Sequence, residues 1–162
     1  NGGLSMRGWY DIASPAIVDE EDEDGIRQSA EILDGLVERE AERGIPAERV
    51  FVAGFSQGGA VALHYAMRQN VPLAGVIALS TYLPLSRSLD AELADGGRQT
   101  PVFMAHGDQD PVISPELALA SKERLEQAGV TVAWHGYGMD HSVCREEIGD
   151  LRSWLIERIG EG

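Results

Sequence analysis

The stretch "VFVAGFSQGGAVALHYA", Val50 to Ala66, decides the fold. Val50, Phe51, Val52 and Ala53 form a short apolar run of the kind that makes a buried strand. Ala60, Leu63 and Met67, with Val61 and Ala66 between them, recur at helical spacing and predict an amphipathic helix. Between these segments sit Gly54, Ser56, Gly58 and Gly59, residues that weaken either element. The chain therefore passes from strand to helix within about two residues, with Ser56 at the turn. Gly54-Phe55-Ser56-Gln57-Gly58 fits G-x-S-x-G, the nucleophile elbow, in which a strained serine backbone holds its hydroxyl exposed. Gly54 and Gly58 are expected to leave room for the crossing. The Gln57 N–H would lie at a helix N-terminus, able to donate to a developing oxyanion. The competing reading is a glycine-rich turn with Ser56 as a helix cap. A nucleophile needs partners, so the rest of the chain decides between the two.

Outward from the elbow, apolar runs at Gly75–Ser80 ("GVIALS"), Val102–His106 ("VFMAH") and Val130–His135 ("VTVAWH") predict three more strands. Helices are expected at Pro115–Ala128 and from about Val143 to Ile159. Ile26, Ala30, Leu33 and Val37 mark one face of an earlier helix, which ends near Gly44 and Pro46. Its start follows the acidic run "DEEDED" at residues 19–24, read as a solvated helix N-terminus. Continuous apolar strands alternating with helices point to a parallel sheet covered on both faces. Residues 81–100 form an excursion too long for a simple connection, for which a substrate-side role is expected.

Bulk composition narrows the function. The 162 residues suit one domain, 1–162, and carry a formal net charge of −14. With a pI near 4.5, the chain is a poor partner for nucleic acid or anionic membrane. No apolar stretch approaches a membrane span, so integral membrane contact is not expected. The single cysteine, Cys144, excludes an internal disulfide and suits a reducing, cytoplasmic compartment. The first residue is Asn1, so a targeting signal would lie upstream. Among the 13 basic residues only Lys122 is a lysine, which fits either a high-salt habitat or a biased genome.

A serine nucleophile requires a base, and the base an orienting acid. In α/β-hydrolases these follow in the order Ser, Asp or Glu, His. His64 lies in the helix after the serine and is expected to pack or face solvent. His106 precedes every acid candidate, so chain order excludes it as the base. His135 sits within a strand. His141, in the loop "GYGMDHSV", is placed to reach across the strand ends. For the acid, "HGDQDPV" offers Asp108 and Asp110. Asp110 is preferred because Asp108 directly follows Gly107, where an aspartate commonly bonds its own turn. Asp140 adjoins His141, and neighbouring side chains diverge.

"GFSQGGA", "HGDQDPV" and "GMDHS", in this order, resemble the phospholipase/carboxylesterase family, which includes acyl-protein thioesterases and small bacterial carboxylesterases. "MRGWYDI" (Met6–Ile12) and "ALSTYLP" (Ala78–Pro84) also resemble family segments, so the likeness covers nearly the whole chain. It implies an α/β-hydrolase fold, a mostly parallel sheet with helices on both faces. It further implies Ser56 as nucleophile, Asp110 as orienting acid, His141 as general acid and base, and Gln57 as one oxyanion donor. Met6, Tyr82 and Val112 fall where the family lines its acyl groove, while Trp9 and Tyr10 are expected to pack near its edge. The departure is at the front. The family begins with strands and a His-Gly loop that supplies a second oxyanion N–H, and nothing here corresponds to them. N-terminal strands are therefore expected to be absent, leaving the strand at Val50–Ala53 on a sheet edge.

These readings converge on a serine hydrolase, a carboxylesterase acting on small-molecule esters with a medium acyl chain and needing no metal or organic cofactor. Acyl-protein thioesterase or lysophospholipase activity is the alternative within enzymes. An inactive fragment or non-catalytic hydrolase-like module is the alternative outside them. A homodimer is compatible with the sequence.

Overall fold

A computed structural model describes residues 8–12 and 21–160. Four strands form one parallel sheet in the order β1 (Phe51–Phe55), β2 (Gly75–Leu79), β3 (Val102–Gly107) and β4 (Val132–Tyr137). Among the described residues six α-helices accompany them: α1 (Glu23–Glu42), α2 (Gln57–Ala66), α3 (Leu89–Glu92), α4 (Asp95–Gln99), α5 (Pro115–Gln127) and α6 (Arg145–Gly160). Alternation along the strands divides the core. Val76, Ala78, Val102 and Met104 pack with residues of α1, α2 and α5 on one face. Ile77, Phe103 and Ala105 meet Trp154 of α6 on the other. Two covered faces explain why the strands read as continuous apolar runs. Among the described residues β1 has a partner on one side only, as expected for the strand that carries Ser56.

The acidic run does serve the start of α1. The Asp22 side chain accepts the Gly25 N–H, and Glu23 and Asp24 occupy the first turn, where carboxylates oppose the helix dipole favourably. No helix among the described residues is long and apolar enough to cross a membrane.

One expectation is corrected. Helix α2 is not amphipathic: every residue from Gly59 to Ala66 is buried, His64 and Tyr65 included. It lies between α1 and the sheet, so its polar residues have no solvent face to occupy. The excursion at 81–100 has structure of its own. It folds into α3 and α4 and buries Tyr82, Leu83 and Leu89. Gly96 and Gly97 lie so close to the backbone of Met67–Val71 that a Cβ on either would sit within 2.4 Å of it. Glu92 of α3 is gripped by Arg27 of α1 and Arg68, which tie the excursion to the body of the fold.

Candidate active site

Ser56 stands between β1 and α2 with φ 54° and ψ −125°, a left-handed conformation that costs a non-glycine residue conformational energy. The surroundings fix it there. Its N–H donates to Leu79 O, extending the β1–β2 pairing, and its carbonyl accepts the Thr81 hydroxyl at 2.7 Å. A Cβ at Gly54 would fall 2.1 Å from the Gly58 backbone, so strand and helix cross only because residue 54 has none. Gly58 itself would meet nothing closer than Trp9 Nε1 at 3.5 Å. The second position without room is instead Gly59, where a Cβ would lie 2.8 Å from Thr81 Cγ2 and 2.9 Å from Gly54 O. The expectation for Gly58 is corrected accordingly.

His141 reaches this serine from the loop between β4 and α6. Its Nε2 lies 3.0 Å from Ser56 Oγ, and its Nδ1 lies 2.7 Å from Asp110 Oδ2. An ionised carboxylate only accepts, so Nδ1 carries the proton and Nε2 is left free to accept the serine hydroxyl. The ring is further held by Phe55, with centroids 4.8 Å apart. The loops bearing the two residues are joined through backbone bonds: Asp108 N–H donates to Tyr137 O, and Gln109 N–H to Met139 O. Gly107 permits this contact, because a Cβ there would lie 2.3 Å from Met139 O. Ser80, also at positive φ, donates its hydroxyl to Ser142 O beside His141.

Asp110 is buried. Burial by itself would push its carboxyl up, but three donors outweigh that. His141 Nδ1–H, Ile113 N–H and Val112 N–H hold the carboxyl below the usual carboxylate range. Asp108 and Asp140 are exposed, and neither is hydrogen-bonded to the imidazole. Of the acid candidates, the fold brings Asp110 to His141.

Gln57 opens α2, and as a first-turn residue its N–H has no intrahelical acceptor. Its side chain has a second task not read from the sequence. Oε1 accepts the Trp9 N–H and Nε2 donates to Tyr10 O, fastening the Trp9–Tyr10 segment to the elbow. Of the expected groove residues, Tyr82 and Val112 fall within the described residues. Met6 lies outside the described residues. Tyr82 is 1% exposed, with its hydroxyl 2.8 Å from that of Tyr10, so it is a core residue here and not a groove wall. Val112 is 56% exposed and serves Asp110 through its backbone. An apolar cavity of about 220 Å³ instead lies on the β1 side of the elbow, lined by Trp9, Leu33, Ala53, Phe55 and Val61.

The remaining histidines are structural by position. His64 is buried within α2, and burial depresses its pKa to about 3. His135 stacks on Phe103 at 4.8 Å between centroids. His106, at the end of β3, lies beside Asp110, with Nε2 3.3 Å from Oδ2.

Known proteins resemble this chain in sequence and in shape. A family model described as Phospholipase/Carboxylesterase matches residues 1–159. Acyl-protein thioesterase 1 of Neurospora crassa is 42% identical over 168 residues, spanning 98% of this chain and 68% of that protein. The crystal structure of Arabidopsis thaliana SOBER1 superposes with a TM-score of 0.90 at 28% identity, over 98% of this chain and 77% of that one. Zea mays acyl-protein thioesterase 2 superposes with a TM-score of 0.84 at 25% identity, over 97% and 74% respectively.

Proposed function

The chain belongs to the phospholipase/carboxylesterase family and has its α/β-hydrolase fold, and from that premise we propose that it hydrolyses acyl thioesters and esters through a Ser56–His141–Asp110 triad. The observation that carries the reading is the continuous chain of contacts, 3.0 Å from Ser56 Oγ to His141 Nε2 and 2.7 Å from His141 Nδ1 to Asp110 Oδ2. The sequence alone favours a carboxylesterase. The names of the relatives favour the thioesterase alternative, and it is the reading adopted here.

His141 Nε2 takes the Ser56 proton as Oγ attacks the acyl carbonyl, and the Gln57 N–H faces the oxyanion that forms. Asp110 stabilises the resulting imidazolium and keeps its tautomer. The tetrahedral intermediate collapses, the carbon–sulfur or carbon–oxygen bond breaks, and His141 returns the proton to the departing thiol or alcohol. Water then adds to the acyl-enzyme, His141 accepting its proton and passing it to Ser56 Oγ as the carboxylic acid leaves. A thiolate leaves more readily than an alkoxide, so this proton transfer matters less for the thioester.

A fluorophosphonate probe should label the protein at Ser56, and Ser56→Ala should abolish labelling and reduce turnover by roughly 10⁶-fold while preserving the melting temperature. Substantial hydrolysis by a folded Ser56→Ala variant overturns the triad. Comparing an acyl thioester with aryl esters of matched acyl chain decides substrate class: a higher kcat/KM for the thioester is expected.

A further inference from the structure

His106 presents an unusual combination. It is 1% exposed and its ring lies nearly parallel to that of Trp134, with centroids 6.4 Å apart. Its Nδ1 has no hydrogen-bond partner among the described residues. Its Nε2 lies 2.9 Å from Ile113 O and 3.3 Å from Asp110 Oδ2. A carbonyl can only accept, so Nε2 carries the proton and Nδ1 is an unsatisfied lone pair. An apolar side chain would fill the same space without leaving a buried nitrogen unpaired. The ring therefore earns its place through the Nε2 proton.

We propose that His106 is a positioning residue for Asp110: its Nε2–H, donated to Ile113 O, fixes the turn whose N–H groups hold the Asp110 carboxylate in the plane that His141 requires. This rests on the triad reading above. The connectivity makes a closed ring. Asp110 Oδ1 accepts the Val112 and Ile113 N–H groups, and Ile113 O in turn accepts from His106, which is rooted in β3. Oδ2 thus faces two imidazoles of different character. His141 sits on a loop and must move a proton during turnover. His106 belongs to a central strand, is pinned by Trp134, and touches no reacting atom. With Oδ1 held by a turn that is itself fastened to β3 through Ile113 O, the carboxylate is restrained from rotating to follow His141 as that ring changes charge. Preorganisation of this kind keeps the donor–acceptor geometry constant between ground and transition states.

The test uses three variants of the whole chain. The Gln side-chain amide reaches the level of Nε2, the Asn amide only that of Nδ1, and Leu supplies neither donor. His106→Leu and His106→Asn should lower kcat by about 10- to 100-fold with KM changed by less than about twofold, whereas His106→Gln should recover most of kcat. The low-field proton resonance of His141 Nδ1–H should shift or broaden in the Leu and Asn variants and return in the Gln variant. Should His106→Leu fail to fold, the Asn and Gln pair decides. Equal kcat and equal resonances in Asn and Gln variants overturn the proposal, as does a wild-type kcat in folded His106→Leu. The triad reading fails separately, through absence of fluorophosphonate labelling in the unaltered protein. The resonance comparison still judges His106 in that case, because it requires no turnover.

Discussion

Asp110 and Glu147 are both carboxylates shut away from solvent on either side of the His141 loop, yet their surroundings push them in opposite directions. Asp110 accepts from two backbone N–H groups and His141, with His106 3.3 Å from one oxygen, and is held below the usual carboxylate range despite its burial. Glu147 is pushed up by burial, with only the Cys144 N–H opposing, and its Oε1 has no partner among the described residues. Glu147 is instead half of a capping box at the start of α6: its carboxylate accepts from Cys144 N–H while its own N–H donates to Cys144 Sγ. Depth of burial is alike in the two regions. The supply of donors differs, and it decides the direction in which each carboxyl is shifted.

The strongest way to break this comparison is to remove each charge and measure turnover. Asp110→Asn should cost about 10⁴-fold in kcat, because an amide can offer N–H to His141 Nδ1 and so favour the wrong tautomer. Asp108→Asn and Glu147→Gln should each stay within roughly tenfold of the parent, since neither carboxylate contacts the imidazole. If Asp108→Asn proved as damaging as Asp110→Asn, the roles assigned to the "HGDQDPV" carboxylates would be exchanged.

A smaller effect separates the two regions in stability. The folded-state pKa of Asp110 is depressed, so the stability it contributes is fully present above the unfolded carboxyl value, about 3.9. It is lost as pH falls through the lower folded value. Asp110→Asn should therefore lower the melting temperature at neutral pH, by the equivalent of about 2 kcal/mol for charged hydrogen bonds. That difference should shrink in acid below pH ~4. Thermal melts across this range test it; a deficit that is constant with pH would mean that lost packing, not charge, destabilises the variant.

The unequal legibility of these features in the sequence has a physical basis. Strands β2 and β3 are legible within a few residues because a strand buried on both faces must be apolar along its length, and the edge strands β1 and β4 show through shorter apolar runs. Ser56, Asp110 and His141 stand out in the sequence because each lies in the segment just beyond a strand, where motif order carries the information. What escaped depends on distances between segments far apart in the chain. Gly59 lacks room because Thr81 packs there, and no local pattern marks that contact. Tyr82 fits the groove by motif position, but Tyr10 meets it hydroxyl to hydroxyl in the core. Chain order excludes His106 as the base, but that rule says nothing about partners of the acid. Its burial beside Asp110 follows from the turn at Gly107–Ile113.

The finest test of the comparison is Glu147→Gln. Glutamine has the shape of the protonated acid, and its carbonyl can still accept the Cys144 N–H, so the capping box survives. Because the folded-state pKa of Glu147 is raised, the folded protein holds this proton more tightly than the unfolded chain does. Below the unfolded value, about 4.3, both states are protonated and the buried group carries no charge penalty. As pH rises past that value, stability is lost until the folded group also ionises. The variant has no such loss. Its melting temperature should therefore exceed that of the parent at pH ~8, and the advantage should close as pH approaches ~4. A Glu147→Gln protein that melts lower than the parent, by more at high pH than at low, would mean that the carboxylate is used in its charged form. Asp110 and Glu147 would then be two instances of one design, and donor supply would not be what distinguishes them.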